Sequence, residues 1–237
     1  MIRSVLNKVF PGRLRSQLDH SGYEKLSVEE TFRTIYRKRV WGSNGDQFYS
    51  GPGSHGPASD KYCDAVTGFI REHEIERVVD LGCGDFSVGR RIVERTDAEY
   101  IGVDVVSELI AHHSKTFVDP RVSFLCANII TDDLPVADLC LIRQVLQHLT
   151  NDEIAEVLRR LAHFPKVIIA EDIPSQPISF NLDMTHGPDA RADFGSGVYI
   201  DKPPFSLPVS EIGQAPLTET RILRIVLIDN VARTVAA

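Results

Sequence analysis

The segment Val78-Val79-Asp80-Leu81-Gly82-Cys83-Gly84-Asp85, with Ile101-Gly102-Val103-Asp104 further along the chain, decides the fold. An apolar run that ends in Asp-x-Gly-x-Gly predicts a buried parallel strand, a glycine turn and the start of a helix. Glycine lets the backbone approach a ligand closely because it has no Cβ atom. A carboxylate at the tip of the next strand, here Asp104, can accept hydrogen bonds from a ribose diol. The two runs together indicate a nucleoside-containing cofactor at the carboxyl edge of a parallel sheet.

Strands and helices alternate along the middle of the chain. The apolar periodicity predicts strands near 77–81, 99–103, 122–127, 137–142 and 166–171, and helices near 86–95, 107–115 and 151–162. Such alternation indicates a mostly parallel sheet with right-handed crossovers. Two further runs, near 209–214 and 221–228, are expected to close the sheet edge antiparallel. We therefore predict an α/β fold, Rossmann-like and seven-stranded, for residues 76–237.

Residues 1–75 are predicted to form a helical extension that covers the cofactor and substrate site. Apolar residues of the segment 2–10 lie on one face of a short helix. This helix would pack on the core, pack on a second subunit of a homodimer, or lie on a membrane surface. Ser27-Val28-Glu29-Glu30 is a capping box that begins a helix through about Val40. A glycine-rich loop at 49–57 follows and leads into another helix.

Composition places the chain among ordinary proteins of the cytoplasm. Its 43% hydrophobic and 25% charged residues are typical of globular domains, and no apolar run approaches the roughly 20 residues that span a bilayer. The N-terminus lacks a signal-peptide pattern, and the four cysteines show no Cys-x-x-Cys spacing. Residues 1–42 carry a net charge of +5 and the remainder −12. An acidic body argues against a nucleic-acid partner, which normally meets a basic face.

Two cofactor classes fit a glycine turn of this kind, a nicotinamide dinucleotide and S-adenosylmethionine. The dinucleotide fingerprint G-x-G-x-x-G requires a third glycine, but Ser87 stands at that position. Asp80, just before the turn, is unfavourable beside a pyrophosphate and favourable near an ammonium group. The amino-acid end and the sulfonium of S-adenosylmethionine therefore suit the site better, although Asp80 could instead serve only to cap the following helix.

Asp80-Leu81-Gly82-Cys83-Gly84 with Asp104 resembles the class I S-adenosylmethionine-dependent methyltransferases over about residues 76–173. The resemblance implies that the glycines line the methionine part of the cofactor and that Asp104 binds the ribose. It implies further cofactor contacts from Val105, Asn128, Ile129, Ser54 and the backbone near Arg143. Trp41-Gly42 and Tyr49–Ser54 are similar to a segment in a bacterial subgroup of these enzymes, many of them linked to saccharides. The loop could donate backbone N–H groups to the cofactor carboxylate, or it could be an ordinary surface turn.

The methyl acceptor is predicted from residues that follow the fourth and fifth strands. His148, in a segment that looks like one in small-molecule methyltransferases, could act as a general base on a hydroxyl group, or could merely cap or pack. Glu171 and Asp172 could orient His148, bind acceptor hydroxyls, or hold a divalent cation such as Mg²⁺, for which two carboxylates alone are a weak signal.

The polar segment 174–208 lies where class I methyltransferases place acceptor specificity. We expect it to bind the substrate through a set of polar side chains: Asp183, His186, Arg191 and Tyr199. The leading hypothesis is an O-methyltransferase acting on a sugar or oligosaccharide, in a bacterial pathway of polymethylated polysaccharide or glycan synthesis. The alternatives are another small-molecule, carboxyl, amine or RNA acceptor, an NAD-dependent oxidoreductase, and a non-catalytic cofactor-binding module.

Overall fold

The computed structural model describes residues 22–235. The helix that the sequence predicts over residues 2–10 lies outside this range. In the described part of the chain, no helix has the length and apolar character needed to cross a membrane.

Seven strands form one mixed sheet, as the sequence predicts. In chain order they are β1 (Arg77–Leu81), β2 (Glu99–Asp104), β3 (Val122–Cys126), β4 (Leu139–Arg143), β5 (Lys166–Pro174), β6 (Ser210–Pro216) and β7 (Arg221–Asp229). Their order across the sheet is β3-β2-β1-β4-β5-β7-β6. The first five strands are parallel, whereas β7 pairs antiparallel with both β5 and β6. The strand order reverses between β1 and β4, which is where ligands bind in sheets of this kind.

Six α-helices accompany the sheet in the described residues. They are α1 (Val28–Arg37), α2 (Pro57–Glu72), α3 (Ser87–Val93), α4 (Ser107–Thr116), α5 (Asn151–Arg160) and α6 (Asn230–Val235). Both predicted capping boxes are present. The Ser27 hydroxyl accepts from Glu30 N at 3.2 Å, and the Glu30 carboxylate accepts from Ser27 N at 3.1 Å. The side chains of these two boxes thus fix where α1 and α5 begin.

Apolar side chains project from both faces of the sheet and pack against helices on each side. Along β4, Leu139 and Leu141 join the core beneath α2 and α3, while Cys140 and Ile142 join the core beneath α5. Strands buried on both faces have near-continuous apolar runs, because each successive side chain meets a hydrophobic layer. This burial explains why the central strands could be recognised from the sequence.

The capping box of α5 gives a direct test of this local contribution. Glu153 N donates to the Thr150 hydroxyl at 3.1 Å, and Thr150 N donates to the Glu153 carboxylate at 2.8 Å. We expect Thr150→Ala to lower the free energy of unfolding by about 1 kcal/mol, because one helical N–H loses its partner. Urea unfolding followed by circular dichroism measures the change. Thr150→Ser, which keeps the hydroxyl, should remain near wild type, and equal losses in both variants would contradict the capping argument.

Candidate active site at the carboxyl edge of the sheet

A cavity of about 520 Å³ lies at the carboxyl ends of the central strands. Its wall on the sheet side comes from the ends of β1, β2, β4 and β5 and from the loops that follow them. Its cover comes from α1, the loop after it and the start of α2. All nine predicted cofactor residues line it: Ser54, Asp80, Gly82, Gly84, Asp104, Val105, Asn128, Ile129 and Arg143. His148 and Asp172 line the same cavity.

The glycine turn after β1 adopts backbone angles that favour glycine. Gly82 has φ of 84° and Gly84 has φ of 55°. A Cβ atom at Gly82 would lie 2.5 Å from Cγ2 of Val145, and one at Gly84 would lie 2.5 Å from Oγ of Ser50. Both distances are shorter than real Cβ contacts, so a side chain at either position would displace neighbouring protein atoms. The sequence predicts glycine here because a ligand needs the space. The structure shows a second reason, since the loop of residues 38–56 that covers the cavity (the covering loop) lies against Gly84.

Asp104, at the end of β2, holds the turn in place. One carboxylate oxygen accepts a hydrogen bond from Gly84 N at 3.2 Å, and the other accepts from Val106 N at 3.0 Å. Burial raises the pKa of Asp104, and the hydrogen bonds from these backbone N–H groups oppose that rise. Since a carboxylate has about four acceptor positions, Asp104 retains capacity for hydroxyl groups of a ligand in the cavity.

Asp80, at the end of β1, is a second buried carboxylate of the cavity wall. It accepts a hydrogen bond from the Tyr100 hydroxyl at 2.8 Å. Burial raises the pKa of Asp80 to about 6, although Tyr100 and the nearby Arg143 favour the charged form. Above that pH the side chain is an anion in a protected site, which would attract a cationic group of a ligand.

Hydrogen bonds of three residues connect α1, the covering loop and the glycine turn. Ser50 N donates to the Asp85 carboxylate at 2.8 Å, and Asp85 N donates to the Ser50 hydroxyl at 2.7 Å. The hydroxyl groups of Tyr36 and Ser50 are 2.8 Å apart. Sequence reasoning missed Tyr36, Ser50 and Asp85 as a unit, because their partners lie in separate parts of the chain.

Arg143, at the end of β4, contributes its side chain and not only its backbone. Its guanidinium lies 5.5 Å from the centre of the Tyr62 ring and donates to the carbonyl of Gly53. Its Nε atom is buried and has no hydrogen-bond partner among residues 22–235. Burial lowers the pKa of this group. The structure thus puts a half-buried cation at the cavity wall.

Asn128 closes the cavity beyond Asp104. Its side-chain oxygen accepts from Ile130 N at 2.9 Å, and its backbone N–H donates to the Asp132 carboxylate at 2.9 Å. These contacts fix the turn after β3 so that Asn128 and Ile129 face the cavity together with Val105. The wall at this end is therefore partly apolar, as the flat face of a nucleobase requires.

His148 lies at the end of a 3₁₀ turn, Leu146–His148, after β4. Its Nδ1 atom is 3.2 Å from the Asp189 carbonyl oxygen, and its Nε2 atom is 3.2 Å from the Gln147 side-chain nitrogen. Because a carbonyl only accepts, Nδ1 carries the proton and Nε2 offers a lone pair. Burial lowers the pKa of His148 to about 4, so the ring is neutral at neutral pH.

Gln147 is a cavity residue that sequence reasoning missed. Its amide nitrogen donates a hydrogen bond to the lone pair of His148 Nε2. Its own oxygen, Oε1, is buried and has no hydrogen-bond partner in the described part of the chain. Both residues line the cavity, and Trp41 lies beside them with its ring centre 5.1 Å from that of His148. The wall at this corner of the cavity therefore contains one acceptor atom that lacks a partner among the described residues.

Glu171 does not line the cavity but holds the turn that carries His148. Its carboxylate accepts from three consecutive backbone N–H groups, at 3.2 Å from Val145, 2.9 Å from Leu146 and 3.2 Å from Gln147. Burial raises the pKa of Glu171 to about 7, against the effect of these hydrogen bonds. Its geometry suits the predicted orienting role and not direct contact with an acceptor.

Arg191 binds the other end of the same turn from the predicted acceptor segment. This buried guanidinium donates to the carbonyl of Leu146 at 3.0 Å and to that of Leu149 at 2.6 Å. It also reaches the carbonyl of Leu182 at 2.8 Å and the side chain of Asn151 at 3.2 Å. Arg191 therefore satisfies backbone groups behind the cavity wall, in contrast to the substrate contact that the sequence suggested.

Asp172 lies on the opposite side of β5 from Glu171, since successive side chains of a strand alternate. It forms an ion pair with Arg221, whose Nε donates to one carboxylate oxygen at 3.0 Å. Arg221 also donates to Asp193 at 2.8 Å. Burial raises the pKa of Asp172, and Arg221 opposes that rise. Among residues 22–235, no group of three or more His, Cys, Asp or Glu side chains is placed to hold a metal ion.

The remaining predicted substrate residues, Asp183, His186 and Tyr199, also lie away from the cavity wall. Asp183 accepts from Asn151 N at 2.8 Å, at the start of α5. His186 bridges Glu153 and the Leu26 carbonyl at 2.8 Å and 3.1 Å. The buried Tyr199 ring packs near Phe180 and Arg224. Pro188 and Ala190, apolar residues of the same segment, line the cavity instead.

A family model described as a methyltransferase domain matches residues 78–166, from β1 to the start of β5. The matched segment contains the glycine turn, Asp80, Asp104, Arg143 and His148. The match covers less than half of the chain and supports the prediction of a methyltransferase for this segment. A search of curated proteins returned no significant match.

Solved methyltransferase structures share the fold at low sequence identity. Human N-acetylserotonin methyltransferase in complex with S-adenosylmethionine has a TM-score of 0.53 and 15% identity, covering 85% of this chain and 59% of that one. Magnesium protoporphyrin IX methyltransferase from Synechocystis PCC 6803 has a TM-score of 0.53 and 16% identity, covering 85% and 97%. N-methyltransferase NodS from Bradyrhizobium japonicum WM9 has a TM-score of 0.55 and 11% identity, covering 81% and 97%. The chain thus spans about three fifths of the human enzyme, and the fold prediction is confirmed.

The three hydrogen bonds that Glu171 accepts from the backbone before His148 can be tested without a substrate. We expect Glu171→Ala to lower the free energy of unfolding by about 3 kcal/mol, because three buried N–H groups lose their acceptor at roughly 1 kcal/mol each. Hydrogen exchange at pH 8 should speed up at Val145, Leu146 and Gln147. Glu219→Ala, at an exposed position, is the control. Unchanged exchange at these three amides would show that the carboxylate does not hold the turn.

Proposed function

We propose that this protein transfers a methyl group from S-adenosylmethionine to a hydroxyl group of a sugar or oligosaccharide. The observation that carries the cofactor assignment is the meeting of the glycine turn, Asp80 and Asp104 at one cavity, within the segment that matches a methyltransferase domain. The human and Synechocystis structures contain S-adenosylmethionine, and the NodS structure contains S-adenosyl-L-homocysteine. S-adenosylmethionine supplies a methyl group on a positively charged sulfur, which makes that carbon electrophilic.

The residues at the cavity fit the two ends of such a cofactor. Asp104 has acceptor positions left for ribose hydroxyls, and Val105, Asn128 and Ile129 form the partly apolar wall beside it. Asp80 supplies a buried carboxylate for an ammonium group. A dinucleotide fits less well, since this anion would repel a pyrophosphate.

The corner formed by His148 and Gln147 supports a hydroxyl acceptor. A hydroxyl is a poor nucleophile and benefits from an acceptor for its proton as the new oxygen–carbon bond forms. Rotation of the Gln147 amide frees the lone pair of His148 Nε2, which then takes the proton of the hydroxyl group. The neutral state of His148 keeps that lone pair available at neutral pH.

The remaining cavity wall supports a saccharide. Trp41 lines the cavity on one side, with its indole N–H bound to the Pro188 carbonyl at 3.1 Å. Asp172 and Asp193 line it on the other. An aromatic face can pack on the C–H groups of a sugar ring, while carboxylates accept hydrogen bonds from its hydroxyl groups. The predicted hydroxyl-binding role of Asp172 belongs to this part of the proposal.

The cofactor assignment predicts a binding preference. In calorimetric titration, wild-type protein should bind S-adenosylmethionine and not NAD. We expect Asp104→Ala to weaken the cofactor affinity by about 1.5–3 kcal/mol, since hydrogen bonds to a charged group are lost. Asp97→Ala, at an exposed position, should bind as the wild type does. Binding of NAD in place of S-adenosylmethionine would overturn the proposal.

The acceptor assignment predicts turnover on a hydroxyl and its dependence on His148. A panel of saccharides, with an amine and a carboxylic acid for comparison, is incubated with S-adenosylmethionine, and the methylated product is identified by mass spectrometry. His148→Ala should lower turnover by about 10-fold or more, because a general base typically contributes roughly 100-fold or more. Its affinity for S-adenosylhomocysteine should stay unchanged. Turnover on the amine alone, or full activity of His148→Ala, would contradict the proposed acceptor or the proposed base.

A further inference from the structure

Five residues of the predicted acceptor segment, Gly187–Arg191, lie against the turn that carries His148. Ala190 has extended backbone angles, with φ of −102° and ψ of 141°, and successive residues of an extended chain point to opposite sides. Pro188 and Ala190 line the cavity, whereas residues 187, 189 and 191 contact the turn. The segment therefore has one side toward the cavity and the other toward the proposed base.

Two backbone groups of this segment bind His148 itself. Gly187 N donates to the His148 carbonyl oxygen at 3.0 Å, and the Asp189 carbonyl oxygen lies 3.2 Å from Nδ1 of the ring. Since a carbonyl only accepts, this contact places the ring proton on Nδ1 and leaves the lone pair on Nε2. The position of the Asp189 carbonyl therefore sets which ring nitrogen can take a proton from an acceptor.

Arg191 fixes that carbonyl relative to the turn. Its guanidinium is fully buried and donates to the carbonyl oxygens of Leu146 at 3.0 Å and Leu149 at 2.6 Å, which precede and follow His148 in the chain. The planar guanidinium holds its donors in a fixed fork, so the two bonds allow only one arrangement of the arginine and the turn. Asp189, two residues before Arg191, is thereby kept at the His148 ring.

Stability alone gives no reason to bury this arginine. Within residues 22–235 Arg191 forms no ion pair, and its hydrogen bonds go to neutral carbonyl and amide oxygens. Burial lowers the pKa of Arg191 to about 10, so the group remains a cation at neutral pH. A buried charge costs free energy, and apolar residues of similar volume are often at least as stabilising in its place. Several donors in fixed directions are what the arginine supplies and an apolar side chain cannot.

We propose that Arg191 is a positioning residue for the general base. By holding its segment against the turn, it keeps the Asp189 carbonyl at Nδ1 and the lone pair of His148 Nε2 available at the cavity. This inference rests on the proposed function for the role of His148. The acceptor segment thus acts on the reaction through the base, although its polar side chains lie away from the cavity wall.

Nuclear magnetic resonance of the histidine ring nitrogens tests the positioning without any acceptor. In protein labelled with nitrogen-15 histidine, the ring signals of His148 are those missing from His148→Ala. At pH 7 the wild type should carry the His148 proton on Nδ1. Arg191→Met removes the donors and keeps a long side chain, and it is expected to fold because apolar replacement of a buried charge is often neutral. It should shift His148 toward the form with the proton on Nε2.

Arg159→Met is the matched control, since Arg159 lies on α5 in an exposed ion pair with Glu156. It should leave the His148 signals as in the wild type. A wild-type His148 with its proton on Nε2, or an unchanged tautomer in Arg191→Met, would overturn the inference. Should Arg191→Met fail to fold, Arg191→Lys takes its place and should show the same shift, because it keeps the charge but not the planar set of donors.

Turnover connects the positioning with the reaction. Arg191→Met should lower turnover of a methylated saccharide by about 10-fold, because a misplaced base loses part of its roughly 100-fold or greater contribution. The KM for the saccharide and the affinity for S-adenosylhomocysteine should stay near the wild-type values. In the His148→Ala background the same substitution should have no further effect, since Arg191 acts through a ring that is no longer present.

The outcomes separate this inference from the proposed function. An equal loss of turnover from Arg191→Met in both backgrounds would show that the arginine only stabilises the fold, and would overturn the inference while the proposed base stands. Full turnover of His148→Ala would overturn the proposed base, and this inference with it, whatever the tautomer.

Discussion

A buried charge must find a partner, and this constraint explains most of the site. Parallel strands bring their carboxyl ends to one edge, so Asp80, Asp104 and Arg143 come together there although they are far apart in the sequence. Asp80 and Asp104 are buried and Arg143 is half-buried. Each has different partners: Asp104 binds backbone N–H groups, Asp80 binds Tyr100, and Arg143 is satisfied only in part. The same rule acts behind the cavity, where Glu171 and Arg191 bind opposite ends of one short turn.

The fold could be predicted because its signals are local. Apolar runs mark the central strands, since both faces of these strands are covered, and the capping boxes at Ser27 and Thr150 mark where two helices begin. The meeting of the glycine turn with Asp80 and Asp104 at one edge of the sheet was predictable for a related reason. Once the strands are known to be parallel, glycines and carboxylates at the carboxyl ends of the strands indicate a ligand site.

The roles of the polar side chains in the segment 174–208 were less predictable because their contacts are made across long sequence separations. Asp183, His186 and Arg191 looked like ligand-binding groups, yet they bind Asn151, Glu153 and backbone carbonyls. Nothing in the local sequence distinguishes a polar side chain that meets a ligand from one that satisfies a buried backbone group. Ser50 and Asp85 were missed for the same reason, since thirty-five positions separate two residues that bind each other.

The hydrogen bonds between Ser50 and Asp85 hold the covering loop against the glycine turn, and this limits which residues position 84 can hold. A side chain at Gly84 would strike Ser50 of the covering loop at 2.5 Å. The residues allowed at positions 50 and 84 therefore depend on each other. A larger residue at position 84 is tolerated only in proteins whose covering loop lies farther from the turn. Among homologous sequences the two positions should covary, and transplanting the glycine turn alone between distant relatives would disrupt the loop that covers it.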